Sequence, residues 1–101
     1  MVNFTILAGG YTAAISVFSF NTDTSKLSLV GTPSGGENPG WVQAAPGSTA
    51  VFATQETGDG GVASFRVGSG GDLTQVSRGY SSGSPASLGV LPNGKEVVVA
   101  N

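Results

Sequence analysis

The sequence predicts an all-β protein assembled from repeated four-stranded antiparallel sheets, and three observations lead there. The chain repeats itself: Leu27 and Leu73, Pro39 and Pro85, Pro46 and Pro92, and Gln55 and Asn101 each stand 46 residues apart. Apolar residues also recur at every second position in short runs, as in Val62-Ala63-Ser64-Phe65-Arg66-Val67 and Leu27-Ser28-Leu29-Val30, which is the spacing of strands. Finally, no window of a dozen residues shows helical spacing, because Gly, Pro and Ser interrupt every candidate. Four short strands in a unit of about 40–50 residues is the signature of a β-propeller blade.

The elements follow in order, with strands lettered a to d from the propeller axis outward. Residues 4–8 read as a b strand, 14–20 as c and 27–30 as d. The next unit is complete, with a at 41–45, b at 49–54, c at 61–67 and d at 73–79. Residues 85–90 and 96–100 are then a and b of a third blade. Asn21-Thr22-Asp23-Thr24-Ser25 and Gly68-Ser69-Gly70-Gly71-Asp72 are turns built from residues that tolerate positive φ. At the 46-residue spacing Thr5-Ile6-Leu7-Ala8 aligns with Val51-Phe52-Ala53-Thr54. Phe18 and Phe65 lie 47 apart, which requires one residue of slippage in a loop. The expected organisation is one partial propeller, divided at 1–36, 37–83 and 84–101.

Composition removes several functions. Four basic residues and a net charge of −2 cannot supply the phosphate-neutralising stripe of a nucleic-acid binder. The chain holds no histidine and no cysteine, so imidazole acid–base chemistry, thiol nucleophiles and Cys/His metal sites are absent. No metal and no cofactor is expected. No apolar run approaches the roughly 18 residues of a membrane span. The first residues also lack a basic and apolar leader pattern, the expectation for a cytoplasmic chain.

Several segments in this order resemble the seven-bladed lactonase family of propellers. That family includes 6-phosphogluconolactonases and carboxy-cis,cis-muconate lactonising enzymes (muconate cyclases). The segments are Gly9-Gly10-Tyr11-Thr12, Ile15-Ser16-Val17-Phe18-Ser19-Phe20, Asn38-Pro39-Gly40-Trp41-Val42, Ala45-Pro46-Gly47, Gln55-Glu56, Gly61-Val62-Ala63-Ser64-Phe65, Ser84-Pro85 and Val99-Ala100-Asn101. The resemblance covers essentially the whole chain and matches about the first two blades of the family. It implies action on sugar-acid or dicarboxylate lactones, with catalytic His and Arg side chains on later blades, so no residue here is assigned a catalytic role.

In a propeller the b–c and d–a loops open on the same face around the axis. Tyr11, Glu37, Asn38, Gln55, Glu56 and Asn101 are therefore expected at one polar mouth; all of these except Glu37, together with Trp41 at the start of the neighbouring inner strand, are the candidates to bind a small sugar or sugar acid. Two blades cannot close a ring of about four to eight, and unpaired sheet edges recruit further strands. The expected partner is the chain itself, as a trimer or tetramer; no nucleic acid and no membrane is expected. Three functional readings follow: a lactonase-family piece inactive alone, a lectin-like module binding carbohydrate through repeated sites, or a truncated or designed fragment that self-assembles.

Overall fold

The computed structural model describes residues 2–101. Strands β1 (Asn3–Ala8), β2 (Ser16–Asn21) and β3 (Lys26–Gly31) form a first antiparallel sheet in that order. The second contains β4 (Val42–Ala44), β5 (Ala50–Thr54), β6 (Val62–Val67) and β7 (Leu73–Gly79), again in chain order. A two-stranded sheet of β8 (Ser87–Val90) and β9 (Val97–Ala100) completes the set. The chain is thus part of a propeller: one complete a-b-c-d blade, preceded by strands b, c and d and followed by a and b. Strand c of the first blade begins at Ser16 rather than at 14, where Ala14 forms only a lone bridge to Ser34. The turn after β6 winds into a short 3-10 segment, Ser69–Gly71, with Gly70 and Gly71 at positive φ.

Packing between blades explains why the strands alternate. Ile15, Ala53, Ala63 and Phe65 form a buried cluster joined by Leu7, Val42 and Leu73. This seam lies between the first and second sheets: Leu7 and Ile15 come from one, the other residues from its neighbour. Alternation then places Thr5, Leu7 and Val17 on the inward side of the first sheet, and Phe4, Ile6, Phe18 and Phe20 on the opposite side.

Those faces correct the sequence alignment of the first strand. Val51 and Ala53 face the first sheet, so their counterparts are the residues of β1 that face the same way around the ring. These are Phe4 and Ile6, 47 residues earlier, and not Thr5 and Leu7. Phe18 and Phe65 correspond at the same spacing. The extra residue sits in the c–d turn: Phe20 pairs with Leu27 across six intervening residues, whereas Val67 pairs with Leu73 across five. From strand d onward the spacing returns to 46.

Each complete c–d hairpin carries the same bulge. Val17 and Phe18 pair with Gly31 and Leu29, and Ser64 and Phe65 pair with Ser77 and Gln75, leaving Val30 and Val76 as the extra residues. A bulge at a repeated position bends and twists each outer strand equally, as a blade requires.

Candidate functional site

The b–c and d–a loops gather at one end of the sheets, tied by a hydrogen bond that repeats from blade to blade. The Asn38 N–H donates to the Thr12 carbonyl (2.9 Å), and one blade later the Ser84 N–H donates to the Thr57 carbonyl (2.7 Å). Asn38 and Ser84 both stand before a proline and both hold positive φ, 47° and 54°. Asn accepts that conformation readily and Ser less so. Pro39 and Pro85 are buried behind them.

Gln55 locks the d–a loop onto the second blade. Its side chain is 2% exposed. The amide oxygen accepts the Glu37 N–H, while the amide nitrogen donates to the carbonyls of Gly35 (3.1 Å) and Thr54 (3.4 Å). The amide is wholly occupied by backbone. Gly36, at φ +81°, crosses so close that a Cβ there would strike the Gln55 amide. Asn101 repeats the motif one unit later: its amide donates to the Gly83 carbonyl (2.9 Å), in the open rather than in a buried seam.

Three of the expected mouth residues meet directly. Asn38 donates from its side-chain amide to the Glu56 carbonyl (3.2 Å), and the Glu56 N–H donates back to the Asn38 carbonyl (3.0 Å). The Glu56 carboxylate then receives the Tyr11 hydroxyl at 2.9 Å. Its second oxygen lies over bare Gly40, where any Cβ would collide with it. Trp41 stands just before β4 and is exposed. Its backbone is clamped to Thr54 by the N–H on Oγ1 (3.0 Å) and by its carbonyl accepting the Thr54 N–H (2.9 Å), and its indole N–H reaches Gln43 Oε1 (3.4 Å).

Two features were not among the expected site residues. Thr54 is completely buried and sets the start of the inner strand; in the sequence it reads only as the last residue of a strand. Arg78 donates to the Gly60 carbonyl (3.1 Å), with its guanidinium 5.1 Å from the Tyr80 ring centroid. The Arg and Tyr at i and i+2 were the available signal for that contact.

The Tyr11 phenol is held above its ordinary value of 10.0, first by donating its hydrogen bond to the Glu56 carboxylate and then by that negative charge. Glu56→Gln is therefore expected to bring the phenol back toward 10.0, followed as the Tyr11 ring resonance in a pH titration by NMR. A folded value above the unfolded one gives a stabilisation that is present below pH 10.0 and lost as pH rises through the folded value. A Tyr11 titration identical in both proteins would show that the bond does not form.

Among the described residues there is no group of three or more carboxylates placed to hold a metal ion, and no helix long and apolar enough to cross a membrane.

A family model described as Lactonase, 7-bladed beta-propeller matches residues 5–101. A search of curated proteins finds no match. Among solved structures, a provisionally assigned 6-phosphogluconolactonase from Bacteroides fragilis is similar at 25% identity and a TM-score of 0.84, over 98% of this chain and 29% of that one. Another from Bacteroides uniformis gives 22% identity and a TM-score of 0.88, over 100% and 31%. The periplasmic gluconolactonase of Pseudomonas aeruginosa gives 23% and 0.88, over 99% and 31%. The chain spans about three tenths of the length of these structures.

Proposed function

The chain belongs to the seven-bladed β-propeller lactonase family, and from that premise we propose that its loop end forms part of the ligand-receiving mouth of a propeller acting on the lactone of a sugar acid. The observation that carries this reading is the convergence of Tyr11, Asn38 and Glu56 at one end of the blades. A polyhydroxylated ring offers several hydroxyl donors and acceptors. A half-buried carboxylate already paired with a phenol answers the hydroxyl donors, because the carboxylate accepts and the phenol oxygen, its hydrogen given to Glu56, accepts as well. Trp41 adds an exposed apolar surface at the start of the inner strand. Family membership supplies the substrate class.

Binding and turnover separate here. Opening a lactone needs a proton-transfer group and donors aimed at the developing oxyanion. This chain has no histidine, and the mouth's carboxylate is engaged by Tyr11. The chain by itself is therefore expected to bind a sugar acid weakly and to leave gluconolactone hydrolysis at its spontaneous rate, followed by acid release in a pH-stat. The binding test is an NMR titration with gluconate. Shifts confined to the amides of Tyr11, Gly40, Trp41 and Glu56, and abolished in Glu56→Ala, support the proposal. Shifts elsewhere, or none, overturn it. Binding of a neutral glycan in preference to gluconate would instead indicate a lectin-like module.

A further inference from the structure

Between the first and second blades, on the side of the outer strands, lies a polar groove of about 400 Å³. Ser34 and Glu37 border it from the d–a connection and Gln75 and Arg78 from β7, with the buried Gln55 and Ala63 also in its lining. Its volume falls within the roughly 300–1,000 Å³ of small-molecule pockets. The d–a connection joins these two blades directly, so no other blade comes between them.

The β7 bulge is what brings two polar side chains here. Phe65 pairs with Gln75 and Ala63 with Arg78, and both of these β6 residues face the first sheet. Cross-strand partners share a face, so Gln75 and Arg78 face it too. Residues three apart on a regular strand point to opposite faces; the extra Val76 turns this pair to the same one. The blade itself does not require these residues. The positions 46 residues before Gln75 and Arg78 hold Leu29 and Thr32, and those 46 residues after Ser34 and Glu37 hold Tyr80 and Gly83. The Arg78 guanidinium is also held in place. Its Nη2 donates to the Gly60 carbonyl (3.1 Å), the Tyr80 ring centroid lies 5.1 Å away, and a Cβ on Gly61 would stand 3.1 Å from both Nε and Nη2. The rest of its fork makes no hydrogen bond among the described residues, nor do the side chains of Ser34, Glu37 and Gln75. Glu37 and Arg78 form no ion pair with each other.

We propose that this groove binds a small zwitterion of the α-amino-acid class, its carboxylate on Arg78 and Gln75 and its ammonium on Glu37 and Ser34. Two opposite charges that border one groove without pairing are answered together by a ligand that carries both. A guanidinium fork takes a carboxylate through two parallel bonds, and one already fixed by its own neighbours loses less freedom on binding. The Glu37 carboxylate and the Ser34 hydroxyl oxygen accept from an ammonium. A simple anion would meet Glu37 as a like charge, and a simple cation would meet Arg78. A sugar acid would bring a carboxylate but nothing positive for Glu37. The proposal does not rest on the reading of the mouth, because Tyr11 and Glu56 are not in the lining of this groove.

The test is an NMR titration of the 101-residue chain with glycine, acetate and methylammonium as separate probes. Glycine is expected to give saturable shifts at Glu37, Gln75 and Arg78, at concentrations at least about tenfold below those either half-probe needs. Arg78→Thr installs the residue that the first blade carries and should weaken glycine binding by at least about tenfold. Glu37→Gln should do the same to glycine while leaving acetate no weaker. Arg78→Lys keeps the charge and loses the fork, and decides the matter if Arg78→Thr fails to fold: a severalfold loss supports the proposal and an unchanged affinity overturns it. The absence of saturable shifts with glycine also overturns it. So does acetate binding as tightly as glycine, or glycine binding that is indifferent to Glu37→Gln.

Discussion

Phe65→Ala is expected to destabilise the chain by about 3–5 kcal/mol, the usual range for a fully buried phenylalanine truncated to alanine. Phe65 is 1% exposed at the centre of the seam between the two larger sheets. Its neighbours Ala53 and Ala63 are too small to collapse into the space left behind, and Ile15 is held across the seam on another sheet. A chain of this size has a total stability of roughly 5–15 kcal/mol, so the loss should be visible as a large fall in the urea midpoint. The control is Phe18→Ala. Phe18 holds the same position in the repeat, 47 residues earlier, but on the face that no sheet covers among the described residues. In dilute solution it should cost about 1–2 kcal/mol, because only partial burial is lost. Equal penalties at the two positions would contradict the assignment of the two faces.

This pair shows what the sequence makes legible and where it stops. The 46-residue period is readable because prolines mark it: Pro39 and Pro85 follow strained residues, and strain of that kind recurs only where the backbone repeats. The two-residue alternation likewise identifies the strands. The face of the first strand is another matter. Phe4, Ile6 and Leu7 place apolar residues on both sides of β1, so alternation alone cannot choose between a spacing of 46 and one of 47. Only the cross-sheet contact of Leu7 decides it. The bulges at Val30 and Val76 left no trace either, since a bulged valine looks like any strand valine.

The mouth divides in the same way. Loop positions in a propeller bring Tyr11, Asn38 and Glu56 to one end, which the blade topology implies before any coordinates. The Tyr11–Glu56 bond spans 45 residues and depends on the side-chain directions of two separate loops. Burial of Gln55 is equally non-local. A glutamine ahead of Glu-Thr-Gly-Asp-Gly reads as exposed loop, and it is enclosed only because the Gly35-Gly36-Glu37 segment from the preceding blade folds over it.

That enclosure makes Gln55 the polar residue with the largest expected effect. Gln55→Leu keeps the volume but leaves the Glu37 N–H and the Gly35 carbonyl without partners. At about 1–3 kcal/mol for each buried polar group left unpaired, a loss of roughly 2–5 kcal/mol follows. Asn101→Ala removes the same kind of amide-to-loop bond at the same place in the repeat, but in the open, where water takes over the Gly83 carbonyl; the change should stay within about 0.5 kcal/mol. Gln55→Glu separates the two halves of the interaction. It still offers an oxygen to the Glu37 N–H, yet it no longer donates to Gly35 and it buries a negative charge, so it should destabilise at least as much as the leucine at neutral pH and recover part of the loss when protonated in acid. Urea unfolding of the three variants at two pH values measures this directly. If Gln55→Leu were as mild as Asn101→Ala, the amide would be filling space rather than holding the d–a loop. The positions of Asn38 and Glu56 at the mouth would then have to be set by the bonds of Asn38 to Thr12 and Glu56 and of Glu56 to Tyr11.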